Sequence, residues 1–363
     1  MMKKFWFTTA IWAMTAAMFC ACDDEEVTNT PPPSPSTPGT TQMRGAYVVN
    51  NGDWGANNGS IQFYYTDKDS ISNDLYLQAN GKNIGDAQEL CIYGSKLYVT
   101  CTTSSKLEIL DYQGKIIKTI PLSNEAGQPL EPRYLAAADG KVYFSAYDGT
   151  VSRLDTLSLE VEEAVTVGDH PEAMTIADNK LYVNISGYGT GNQLAVVDLA
   201  SFTCEDPVEV LLNPYTQALT AEGKVYFVSN GNYSSPSTPE EDRILNTLQC
   251  LDPATGEVDE LCPATTITYY QGKLYCVYAE YYWEESRDIF TYDLATGTTH
   301  SLIDPDQIPN PAQIDVDPAN GDIYICSPDY GGVPGTVYVF NNDGTPKSTF
   351  TAGYSVAGMY FFE

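Results

Sequence analysis

The sequence predicts an all-β chain, a seven-bladed β-propeller whose C-terminal strand completes the first blade. Three observations lead there. A short phrase of Lys, an aliphatic residue, Tyr and another apolar residue recurs at intervals of 39 to 51 residues. With 28 Gly, 22 Pro and 27 Tyr in 363 residues, turns and strands are favoured over long helices. The chain also opens its repeats on a second strand with no first strand before it, and closes on a first strand with no second after it.

Residues 1–21 read as a secretory signal. Lys3 and Lys4 precede an apolar stretch from Phe5 to Ala21, which is about signal length and short of a comfortable membrane span. Cleavage is the expectation, and it leaves the chain two charges more negative than the −30 of the full sequence. The run Phe19-Cys20-Ala21-Cys22 resembles a bacterial lipobox, with Cys22 in the place of the lipidated residue. Asp23, Asp24, Glu25 and Glu26 follow at once and are similar to the acidic export signal of Bacteroidota lipoproteins displayed on the outer face of the outer membrane. Pro31, Pro32, Pro33, Pro35 and Pro38 among Ser, Thr and Gly make an extended spacer. Residues 22–42 are therefore read as lipidated Cys, export signal and tether, and residues 43–363 as the propeller.

The repeats begin with a degenerate member, Ala46-Tyr47-Val48-Val49. Five full matches follow at Lys96-Leu97-Tyr98-Val99, Lys141-Val142-Tyr143-Phe144, Lys180-Leu181-Tyr182-Val183, Lys224-Val225-Tyr226-Phe227 and Lys273-Leu274-Tyr275-Cys276, and Asp322-Ile323-Tyr324-Ile325 closes the series. This spacing is the period of a four-stranded blade, not of a helical or leucine-rich solenoid. Within each period an apolar segment such as Glu172 to Ala177 enters a Gly- or Asn-bearing turn and returns as the Lys-aliphatic-Tyr strand, giving strands A and B. Strand C often ends at an Asp, as in Leu107 to Asp111, Leu194 to Asp198, Leu248 to Asp252 and Ile289 to Asp293. A turn such as Ala295-Thr296-Gly297-Thr298 then leads to strand D. Val356 to Phe362 is a strand A that joins the strand B at Ala46 to Val49, so the ring closes without loose edges.

The strand-B tyrosines are read as packing residues. So are most of the seven cysteines after Cys22, an odd number lying chiefly in apolar runs. Cys250 and Cys262 flank the turn Asp252-Pro253-Ala254-Thr255-Gly256 and are the one pair expected to face each other across a hairpin. Asp315 to Asp322 has a calcium-loop look but aligns with the A–B turns of other blades and is read as a turn. His170 and His300 are the only histidines. That removes two-histidine metal motifs, and no metal or cofactor site is expected. His170, before Pro171, is assigned to turn chemistry.

The repeated phrase, best seen in Leu97-Tyr98-Val99-Thr100, resembles the YVTN or YncE-like surface propeller repeat over residues 43–363. Joined to lipobox, acidic signal and tether, it is similar to the BtuG family of surface cobalamin-capturing lipoproteins. The resemblance implies a cell-surface, lipid-anchored protein of the outer membrane that binds cobalamin or related corrinoids. It also implies hand-off to a TonB-dependent transporter, with cobalamin as cargo and not as cofactor.

In a propeller the B–C and D–A connections emerge on one face, so residues distant in sequence meet there. Trp54 and Trp283, with Asn51, Asn57, Tyr147, Tyr188, Tyr233, Tyr282 and Tyr330, fall in B–C connections; Arg133, Tyr134, Tyr215 and Tyr354 fall in D–A connections. These are the candidate ligand-binding residues. Rings supply apolar area at low entropic cost, while hydroxyls and amides supply directional hydrogen bonds. The mixture suits a corrin rimmed by carboxamides, and it also suits a glycan.

With 48 acidic against 18 basic residues, nucleic acid is repelled. No Gly-x-Ser-x-Gly elbow or phosphate-cradling loop is present, and no spacing marks a carboxylate pair, so the chain is read as a non-enzyme. A glycan-binding propeller is the alternative, and a glycan hydrolase or lyase the more distant one.

Overall fold

The structure, a computed structural model, describes residues 44–53, 56–280, 287–329 and 331–362. The segments 1–21 and 22–42, with Cys22, lie outside the described residues.

Seven antiparallel sheets are present, each built in the order A-B-C-D, with the outer strand of blade four split into Thr203–Cys204 and Val208–Glu209. The first blade pairs Val356–Phe361 with Gly45–Asn50, then Ser60–Tyr65 and Ser70–Ile71. The inner strands of blades two to seven are Glu89–Tyr93, Pro132–Ala138, Pro171–Ala177, Pro214–Ala221, Thr266–Tyr270 and Gln313–Val316. Each inner strand touches the next around the ring, and Val356–Phe361 touches both Gln313–Val316 and Glu89–Tyr93. The closure expected between Ala46 to Val49 and Val356 to Phe362 forms, as Gly45–Asn50 against Val356–Phe361: Tyr47 pairs with Tyr360 and Val48 with Met359.

The strand-B tyrosines explain why blades stack. Tyr47 packs with Leu90 and Leu97 of blade two, and Tyr98 with Leu135 and Val142 of blade three. Tyr143 meets Met174 and Leu181, and Tyr182 meets Val225. Tyr226 meets Ile267 and Leu274, Tyr275 meets Ile314 and Ile323, and Tyr324 meets Ala46 and Met359. One residue type at one repeat position thus fills every interface between blades, and all seven rings are at most 5 % exposed. Burial of a large side chain contributes roughly 1.5–3 kcal/mol, an upper estimate against a compact unfolded chain.

The strand-C aspartates end their strands by capping the turn that follows. Asp111 accepts from the Gln113 and Lys115 backbone N–H groups, Asp252 from Ala254, and Asp293 from Ala295 and Thr296. These side chains offer the turning backbone the partner that the strand no longer supplies. Asp317 acts likewise on Ala319 in the A–B turn of blade seven; of the calcium-like stretch, 317–322 is the expected turn, whereas Asp315 and Val316 belong to the inner strand.

The expected Cys250–Cys262 pairing is corrected. Cys250 stands opposite Asp259, whereas Cys262 stands opposite Leu248 beyond a bulge, and both thiols are free. The turn closes from Asp252 N–H to Glu257 C=O, which centres the hairpin too near Cys250 for the two to oppose each other. Cys101, Cys250, Cys276 and Cys326 are buried, Cys91 and Cys262 half-buried, and Cys204 exposed. One short helix, Leu75–Asn80, lies outside the repeats, capped by Asp74 and ended by Gly81 in the left-handed conformation.

Candidate functional site

Because A and B run antiparallel, the start of each inner strand lies beside the end of its strand B, where the B–C and D–A connections gather. A cavity of about 560 Å³ occupies this end of the ring. One repeat position supplies much of its wall. Two residues before the inner-strand residue that pairs with the strand-B tyrosine stand Glu89, Tyr134, Gln217, Thr266, Gln313 and Gly358, and all six line the cavity. Asp315 and Tyr360 stand opposite Tyr324 and Tyr47, one layer further along the strands.

Arg133 is the cation of the cavity wall. It is 8 % exposed, and its Nε donates to Glu172 Oε2 at 2.9 Å and its Nη1 to Gln88 Oε1 at 2.8 Å. Its guanidinium lies 4.8 Å from the Tyr147 ring centre and 5.4 Å from that of Tyr134. Tyr147 donates its hydroxyl to Glu172 Oε1 at 2.8 Å, so both oxygens of this buried carboxylate are satisfied. Burial pushes the Glu172 carboxyl up, and Arg133 and Tyr147 draw it back. Burial likewise opposes the Arg133 charge, but Glu172 together with Tyr134, Tyr147 and Tyr215 more than offsets it.

Two carboxyl groups, Glu89 and Asp315, line the cavity itself. Glu89 accepts the Leu135 backbone N–H at 2.5 Å, and Asp315 accepts the Met359 N–H at 2.9 Å and Gln313 Nε2 at 3.2 Å. Gln217 accepts the Ile267 N–H at 3.0 Å and donates to Gln313 Oε1 at 3.2 Å. Each therefore straps its inner strand to the neighbouring one, a hydrogen bond that antiparallel pairing within a blade does not provide. Burial pushes the Glu89 carboxyl up to about 8 and that of Asp315 to about 6. Burial also raises Tyr134 and Tyr360 well above the usual phenol range and Tyr215 to about 12.

Of the residues singled out from the sequence, Asn51, Arg133, Tyr134 and Tyr215 line the cavity. Asn51 donates Nδ2 to the Ala87 and Gln88 carbonyls. Tyr147 stands behind Arg133, and its ring continues to His170 at 4.8 Å and on to Tyr188 at 5.3 Å, forming an aromatic line along the rim. Tyr188 is 81 % exposed and Tyr233 41 %, both with positive φ. Asn57 is exposed, its carbonyl accepting from Asn83. Tyr354, half-buried, ends the outer strand of blade seven and accepts the Gly52 N–H through its carbonyl. Trp54, Tyr282, Trp283 and Tyr330 lie outside the described residues.

Gln88, Glu89, Glu172, Gln217, Gln313, Asp315 and Tyr360 escaped the sequence reading. The signal for several of them was a polar residue two positions before the strand-A partner of the repeated tyrosine. Among the described residues no group of three or more His, Cys, Asp or Glu side chains gathers as a metal site. The arrangement offers hydrogen-bond donors, acceptors and ring faces around one opening, with a single guanidinium on its wall.

The model of a family described as a domain of unknown function, DUF5074, matches residues 44–362. No curated protein matches the chain. Among solved structures, a putative 6-phosphogluconolactonase from Bacteroides fragilis is similar at 12 % identity and TM-score 0.63, over 90 % of this chain and all of that one. The dihydro-heme d1 dehydrogenase NirN in complex with DHE is similar at 12 % identity and TM-score 0.56, over 91 % of this chain and 77 % of that one. Kuenenia stuttgartiensis hydrazine synthase is similar at 15 % identity and TM-score 0.55, over 71 % of this chain and 77 % of that one. Identities this low carry the fold alone.

Proposed function

We propose that this chain, which belongs to the DUF5074 family of domains of unknown function, is a non-enzymatic capture protein for cobalamin or a related corrinoid. The observation that carries the reading is the composition of the opening. Amides from Asn51, Gln88, Gln217 and Gln313 and rings from Tyr134, Tyr215 and Tyr360 surround it, with Arg133 held in place by Glu172. A corrinoid presents a broad, largely apolar ring fringed with carboxamides, each of which needs both a donor and an acceptor. Its macrocycle would lie across the mouth while side-chain amides enter the cavity. Fixed polar groups on rigid inner strands keep the entropic cost of such binding low.

The lipobox-like Cys22, acidic signal and proline-rich tether support a lipid-anchored protein on the outer face of the outer membrane, passing its cargo to a TonB-dependent transporter. Calorimetry of the purified protein with cyanocobalamin tests the capture step. Saturable binding at micromolar ligand is the expected result, and its absence overturns the reading. The exposed ring of Tyr188 favours a second reading, a glycan-binding propeller, which retention on a polysaccharide array without cobalamin binding would support.

A further inference from the structure

Two cavity groups of opposite kind are left with atoms unused. Among the described residues Arg133 engages protein through Nε and Nη1, while Nη2 finds no acceptor there and is not sealed from solvent. Glu89 gives Oε2 to the Leu135 N–H, while Oε1 has no donor among the described residues and is likewise not sealed. Both residues line the same cavity, and no ion pair within 4.0 Å joins them. The guanidinium is nonetheless near enough to act on the Glu89 carboxyl. Glu172 and Gln88 prevent Arg133 from swinging across to close the gap.

We propose that Arg133 and Glu89 together form a subsite for a primary carboxamide of the ligand. Its carbonyl oxygen accepts from Arg133 Nη2, and its NH2 group donates to Glu89 Oε1. With Glu89 ionised, above about pH 8, the pair is selective because it carries one donor wall and one acceptor wall. A ligand carboxylate meets Arg133 well but sets a second acceptor against Glu89, with Asp315 also in the cavity. A ligand ammonium meets Glu89 but has nothing to offer Arg133. A buried polar partner left without its complement is costly, and this is what gives such a site its discrimination. The inference rests on the capture reading and names the group by which that site would recognise its cargo.

The test compares cyanocobalamin with its separate monocarboxylic derivatives, each with one side-chain amide hydrolysed. Binding is measured by calorimetry at about pH 9, where Glu89 is ionised. One derivative is expected to bind the wild-type protein about ten-fold or more weakly than cyanocobalamin. In Glu89→Gln, whose side chain can turn its own NH2 toward the ligand, that preference should shrink or invert while the melting temperature does not fall below that of wild type. Equal binding of all derivatives, or an unchanged preference in Glu89→Gln, overturns the carboxamide subsite and leaves cobalamin capture standing. Failure of cyanocobalamin itself to bind overturns both.

Discussion

Arg133 Nε lies 2.9 Å from Glu172 Oε2, so a buried ion pair joins the inner strands of blades three and four at the wall of the cavity. Both side chains are at most 10 % exposed. Removing one partner strands the other, which is what makes breaking a buried pair expensive. Arg133→Met should destabilise by about 3–5 kcal/mol, less whatever Glu172 recovers by taking up a proton. Glu172→Gln should cost less, because an amide still accepts from Arg133. Urea denaturation of the two variants checks the order, and equal losses would contradict it.

Stability should fall with rising pH across the range set by Glu89. An unfolded Glu ionises near 4.5, whereas burial holds the folded carboxyl protonated to about 8. Between these values the folded chain holds a proton that the unfolded chain has lost, so each pH unit removes up to about 1.4 kcal/mol, less what solvent in the cavity returns. Above about 8 the loss levels off. Asp315 adds a smaller loss between 3.8 and about 6. Melting temperatures measured in pH steps should show a shallower decline in Glu89→Gln than in wild type, and parallel curves would refute this assignment.

Thiol chemistry should separate the cysteines by exposure. Among the described residues only Cys204 is exposed, so it should react with a thiol reagent in the native state well before the others. Burial raises the Cys101, Cys276 and Cys326 thiols, which slows them further. All seven should react after unfolding, without prior reduction. A count of five under those conditions would restore the Cys250–Cys262 bridge.

Deleting residues 356–363 should do more damage than its length suggests. Val356 and Met359 leave the core shared by blades seven and one, and Gly45–Asn50 becomes an open edge. Size-exclusion chromatography should show aggregated protein in place of the wild-type species.

Much of this architecture was legible because its strongest signal repeats. The tyrosine of Lys-aliphatic-Tyr fills the interface to the next blade each time, so its spacing marked the blades and its first and last occurrences marked the closure. Arg133 stood out as a scarce cation in an acidic chain. Glu89, Glu172 and Asp315 did not stand out, since a carboxylate among forty-eight acidic residues reads as solvated surface until its strand is placed on the ring. The Cys250–Cys262 expectation failed for a related reason: a bulge of one residue shifts register, and no composition marks it.

The pairing of Gly45–Asn50 with Val356–Phe361 also sets a schedule for folding. Two segments some three hundred residues apart must meet before the ring is whole, so the longest loop in the propeller is closed by the last of the propeller's strands to be synthesised. Blades can form hairpins as they emerge from a ribosome or a translocation pore, but the circle stays open until translation has passed Phe361. A chain threaded across a membrane would therefore cross it unlatched and become a finished propeller only on the far side.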